Sequence, residues 1–147
     1  MEANTKPIFP LTPNVGFKVL ITADTSLSTP TTAGQVLLTA GPNGTKIDAI
    51  KVRAIDQHTQ SVLRIFINDG QGLAASNFAL VYEVKLPAVS AISQTDVTQA
   101  QDIVLLPINY DSQGNGQIPP YLKAGQKLYV SCGVSAMVMV TAFGGDY

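Results

Sequence analysis

Cysteine occurs once in this chain, at Cys132, and histidine once, at His58. A lone cysteine cannot close an internal disulfide. Two residues of these types fall well short of the four or so ligands that a zinc site takes. Charge is scarce as well: 13 % of the residues are Asp, Glu, Lys or Arg, against about 25 % in an average globular domain. Nine basic residues face ten acidic ones, for a net charge of −1. No basic run offers the phosphate-neutralising footprint of a nucleic-acid binder, so no nucleic-acid partner is expected. Long apolar runs are missing too. The longest, Val134 to Phe143, is broken by Ser135 and Thr141 and is about half of what a membrane-crossing helix needs, so no membrane contact is expected. The opening residues, Met1 to Pro7, show no basic start followed by an apolar stretch, and a soluble chain made in a reducing compartment is the expectation.

At 147 residues the chain suits one domain, and it can bury roughly two-thirds of its unfolded surface without disulfides or metals. With so few charges, its polar exterior rests on Thr, Ser, Gln and Asn. Such a surface serves a subunit packed against others better than a free monomer.

Prolines at 7, 10 and 13 recur at the three-residue period of polyproline II, with Ile8, Phe9, Leu11 and Val15 between them. Residues 1–16 are therefore read as an extended arm, with Pro7, Ile8, Phe9, Pro10, Leu11 and Pro13 as candidate interface residues. Residues 17–147 are read as a β-sandwich. There the period is two rather than 3.6. Strands are expected at Phe17–Ile21, Gln35–Thr39, Lys46–Ala54, Ser61–Ile67, Ala79–Leu86, Asp102–Leu106, Lys127–Ser131 and Ala136–Phe143. Asn43-Gly44 carries the strongest short hairpin signal, and the last two strands read as a closing hairpin bent near Gly133. About eight short strands separated by turn signals point to an all-β single domain, jelly-roll-like.

Clustered chemistry is not apparent. His58 lies between Gln57 and Thr59 in an expected hairpin loop, where a solvated side chain is the simplest reading. Asp56 is near, but no strained nucleophile motif accompanies the pair. Cys132 sits in an apolar strand without a basic neighbour, which suits a core thiol rather than a nucleophile. Asn68-Asp69-Gly70-Gln71-Gly72 and Asp111-Ser112-Gln113-Gly114-Asn115 each bring one carboxylate and read as turns rather than calcium loops. Asp24 and Asp146 lie alone. No enzyme, cofactor or metal site is expected. Tyr82 and Tyr129 fall on strands, at the edges of the core. Tyr110, Tyr121 and Tyr147 are candidate interface residues, as anchors or as sugar-stacking rings.

Two stretches carry a resemblance. Thr39-Ala40-Gly41-Pro42-Asn43-Gly44, continuing through Ile47, Ile50, Val52, Arg53 and Ala54, and Val62-Leu63-Arg64-Ile65-Phe66-Ile67-Asn68-Asp69-Gly70, together with the ending Gly144-Gly145-Asp146-Tyr147, resemble a set of small virion structural proteins of tailed bacteriophages. The resemblance covers most of residues 36–147 and leaves out the proline arm. It implies a virion component. By analogy of fold it implies a jelly-roll decoration (cement) protein on the outer surface of the phage head. The expected partners are the major capsid protein and further copies of the chain, as a dimer or trimer, with assembly in the host cytoplasm. The alternative is a carbohydrate-binding or adaptor protein of the tail, neck or fibre. Removal of residues 1–14 is expected to leave a folded domain.

Overall fold

The computed structural model describes residues 9–30, 35–90, 102–106, 121–135 and 138–147, with 102–106 as backbone only. Nine strands are formed among them: β1 (Thr12–Leu20), β2 (Val36–Thr39), β3 (Thr45–Ala54), β4 (Ser61–Asn68), β5 (Phe78–Leu86), β6 (Asp102–Leu106), β7 (Tyr121–Leu122), β8 (Lys127–Cys132) and β9 (Val138–Asp146). The one helical element described is a 3-10 turn at Ala75–Asn77. All pairings are antiparallel. Sheet I runs β1-β9-β3-β6, with β7 also on β3, and sheet II runs β2-β8-β4-β5. The protein is an all-β sandwich.

Alternation builds it. In β3 Ile47, Ile50 and Val52 are buried while Asp48, Lys51 and Arg53 are exposed. In β4 Leu63 and Ile65 face the core, and in β8 Leu128, Val130 and Cys132 do so. Each large aliphatic side chain removed from water in this way contributes about 1.5–3 kcal/mol. Cys132 is fully buried, and its sulfur lies 3.0 Å from Ser61 Oγ. Tyr129 is buried edge-on to Phe78, with ring centroids 5.0 Å apart.

The connections differ from the expected hairpins. The Gly41–Gly44 turn does form, with Gly44 N–H donating to Gly41 O at 3.0 Å and Gly44 at φ 96°. It joins β2 of sheet II to β3 of sheet I and so is a crossing between layers. The β3–β4 and β8–β9 connections cross likewise. Among the described strands only β4–β5 is a hairpin of consecutive strands. The pairs β1–β9, β2–β8, β3–β6 and β4–β5 nest inside one another, like a long ribbon doubled back and wound into two layers. Turn chemistry specifies a local reversal, but the layer a strand joins depends on partners far along the chain.

The first strand also starts early. β1 pairs with β9 from Thr12↔Asp146 to Leu20↔Val138, so residues 12–16, read as arm, belong to the sheet. The cause is the long partner: β9 offers nine residues of free edge. A truncation of residues 1–14 therefore cuts into the fold. Pro7 and Ile8 lie outside the described residues.

Where β1 meets β2 the backbones touch. A Cβ placed on Gly16 would stand 1.9 Å from Leu37 O, so only glycine fits. Gly16→Ala should destabilise the protein by about 1–3 kcal/mol, read as a lowered urea midpoint at unchanged slope.

A C-terminal clasp and an outward apolar stripe

At one end of the sandwich, three inward-facing polar residues converge. Asp146 of β9 accepts from Asn14 Nδ2 of β1 at 2.7 Å and from the Thr45 hydroxyl of β3. The Thr45 hydroxyl in turn accepts from Gly41 N–H at 3.0 Å, and Asn14 Nδ2 also reaches Thr39 O at 2.9 Å. A Cβ on Gly41 would fall 2.6 Å from Asp146 Cγ, so the turn lies directly on the carboxylate. Beside it, Asn43 Nδ2 donates to Tyr147 O and Tyr147 N–H donates to Gly44 O. Asp146, which stands alone in the sequence, is the hub of a clasp. The turn at 41–44 and the ending 144–147, a hundred residues apart, meet at this point. Desolvation pushes the Asp146 carboxyl up, but hydrogen bonds from Thr45, Asn14 and Gly41 outweigh it and hold the pKa below 3.8.

A second feature lies on the opposite side of the same strand. Along β1 and the residues flanking it, every odd position from 9 to 21 is apolar: Phe9, Leu11, Pro13, Val15, Phe17, Val19 and Ile21. The large ones are exposed, between 39 and 83 %. Asn14, Gly16, Lys18 and Leu20 take the inward side. The usual sandwich pattern is thus inverted here, with the apolar set turned to solvent. Val15 pairs with Phe143 of β9, itself 38 % exposed, and Val19 with Met139. The stripe therefore continues across two strands of sheet I. Lys51 Nζ, 5.9 Å from the centroid of the Phe143 ring, borders it.

The tyrosines separate. Tyr121 of β7, opposite Lys46, is half exposed and lies 6.5 Å from the Tyr147 ring at an interplanar angle of 30°. Burial first, and then the neighbouring Tyr121, raise the Tyr147 hydroxyl above its ordinary pKa. Lys46 and Asp48 form a part-exposed ion pair at 2.9 Å next to them. Tyr110 lies outside the described residues. Of the arm, Pro10 packs over Gly145 and Leu11 N–H donates to Asp146 O at 2.7 Å, while Phe9 and Leu11 project their side chains into solvent. Comparison with known protein families, curated proteins and solved structures finds no match.

His58 is not a solvated loop residue. It is 8 % exposed and bridges Val89, with N–H···O bonds of 2.9 Å in both directions. Its Nδ1 lies 2.8 Å from Thr59 O, a carbonyl that only accepts, so Nδ1 carries the proton. Nε2 has no partner. The adjoining hollow is lined by Gln57, Thr59, Ala88, Val89, Ser90 and Ser135, none of them acidic. Among the described residues there, none orients the imidazole as a base. Asp56 caps Gln57 N–H at 2.7 Å instead. Asn68 and Asp69 accept from Gly70 and Gln71 N–H, so those side chains serve the turn. Asp24, expected to lie alone, is buried and accepts from Ser26 N–H. Among the described residues no group of three His, Cys, Asp or Glu can hold a metal, and no helix is long and apolar enough to cross a membrane.

The clasp makes stability depend on acid. The folded pKa of Asp146 is depressed, so its contribution is full above its ordinary value near 3.8 and is lost as pH falls through the folded value. Asp146→Asn should melt lower than wild type at pH 7, and the gap should narrow in acid. Thermal unfolding across pH 2–7 measures both.

Proposed function

We propose that this chain is a non-enzymatic structural subunit of a phage virion, a decoration protein that sits on the outer surface of the head and braces the capsid lattice. The observation that carries its role as a binding subunit is the outward apolar stripe of sheet I. A monomeric soluble protein rarely leaves more than a few hundred Å² of contiguous apolar surface uncovered, and larger patches mark contact sites. The virion assignment rests on the resemblance of residues 39–54, 62–70 and 141–147. The clasp gives the first and last of these stretches a physical purpose: Gly41, Thr45 and Asp146 lock the two chain segments that frame the interface side of the sandwich. The nested pairing β1–β9, β2–β8, β3–β6, β4–β5 supports the finer reading of the sandwich as a jelly roll, with its two interleaved Greek keys.

The mechanism is mechanical. A subunit that bridges neighbouring capsomers adds the free energy of its buried contacts to the barrier against shell rupture, and attachment at two points raises apparent affinity by about 10²–10⁴. The proline-rich arm with Pro7 and Ile8 and the tyrosine pair of Tyr121 and Tyr147 are the contacts assigned to the major capsid protein. Proline-fixed dihedrals lower the cost of ordering such an arm. A carbohydrate reading draws on the same pair, since the exposed Tyr121 ring has a face on which a sugar can stack.

The purified chain should load saturably onto undecorated heads of the encoding phage. Quantitative mass spectrometry of particles should count hundreds of copies, where a tail or neck protein gives about a dozen or fewer. Deleting residues 1–8, which spares β1, should reduce loading at least tenfold without changing the circular dichroism spectrum. No loading, or saccharide binding on a glycan array in its place, overturns the decoration reading.

A further inference from the structure

We propose that the occupant of the β1 side of this face is a second copy of the chain, with the two β1 strands lying antiparallel and face to face across a twofold axis near Val15. The inference rests on the reading of sheet I as a contact face and adds what covers it.

Three observations lead to a second copy. The first is area. Phe9, Leu11, Val15, Phe17, Val19, Ile21 and Phe143 are all between 38 and 83 % exposed. Three are phenylalanines, a side chain that buries about 150–250 Å² when fully covered. Together they supply apolar surface of the order that one partner buries in a standard interface, roughly 800 Å².

The second is self-complementarity. A twofold interface must match its own surface patch. An antiparallel crossing centred on Val15 sets Phe17 against Pro13, Val19 against Leu11 and Ile21 against Phe9, so every outward position of one strand meets an apolar one. No residue of the stripe is charged, and Lys18, the one charged residue of β1, takes the inward side.

The third is where the charges lie. The exposed cations of sheet I, Lys51 and Arg53, stand on β3, two strands from β1 and so about 10 Å away. Lys51 and Arg53 are level with Phe17 and Val19 across β9, so the antiparallel crossing about Val15 carries each of them about 13 and 26 Å along the strands from its own counterpart in the other copy. The inward face of β1 is already taken up at Gly16 by Leu37 O of β2, so the outward, apolar face is the one left for a partner. An exposed apolar row of this length is an association hazard in a free monomer. Covering it with its own copy removes that hazard.

Light scattering and sedimentation equilibrium at micromolar concentration should return twice the 15.5 kDa chain mass. Phe17→Asp should weaken the dimer by at least about thirtyfold, the scale of an interface hot spot. Lys85→Glu, exposed on β5 of sheet II, should leave it intact. Should Phe17→Asp fail to fold, Val15→Cys decides in an otherwise native chain, because the one natural thiol, Cys132, is buried. A short bismaleimide should couple Val15→Cys into a covalent dimer and leave Lys18→Cys uncoupled. A monomer, a three-chain mass, or a dimer indifferent to both Phe17→Asp and Val15→Cys coupling overturns the proposal. A dimer through β1 that never loads onto heads removes the virion reading and leaves this inference standing. A monomer that loads does the reverse.

Discussion

Strand β9 lies between β1 and β3 along the whole of sheet I, and its register sets most of what matters here. Val138, Val140 and Ala142 fill the core from this strand, so Met139, Thr141 and Phe143 must look outward. Since period-two alternation admits no intermediate, a slip of one residue would send the buried set to solvent. The same register brings Asp146 opposite both Thr12 and Thr45. The carboxylate then ends at the mouth of the sandwich, where Asn14, Thr45 and the Gly41 turn can all reach it. The clasp is therefore both a consequence of the register and its pin.

The outward apolar stripe and the clasp are two faces of one strand. β1 gives its even positions to the sandwich, including Asn14 for the clasp and Leu20 for the core, and its odd positions to solvent. An ordinary edge strand in a two-layer fold would do the opposite with its apolar residues. The clasp keeps the strand seated while that side is bare. Glycine makes the seating possible at two points: Gly16 under Leu37 O, and Gly41 over the Asp146 carboxylate.

Much of this was legible early. Eight of the nine described strands overlap segments expected from the pattern of apolar and polar residues. Tyr129 and Cys132 are buried as their strand positions implied. The extension of β1 through Thr12–Gly16 was hidden because Pro13 and the three-residue proline period look like an arm, and a proline is tolerated in a strand only where its missing N–H has no ladder partner. His58 looked like loop because its burial depends on Val89, thirty residues on. The two-residue β7 is too short to leave a periodic signal. Asp146 gave no sign of its role, since its three partners come from residues 14, 41 and 45.

Composition and periodicity by themselves determined the class of the molecule: an all-β fold with sparse charge. They could do so because alternation and turn chemistry act over a few residues and are written locally. Which strands share a layer, which turns cross between sheets, and that the apolar teeth of the N-terminal segment point outward from a paired strand were decided only by the tertiary structure. Those outcomes depend on free-energy terms between residues a hundred positions apart, the pairing of β1 with β9 above all, and no local window of sequence contains both halves of such a contact.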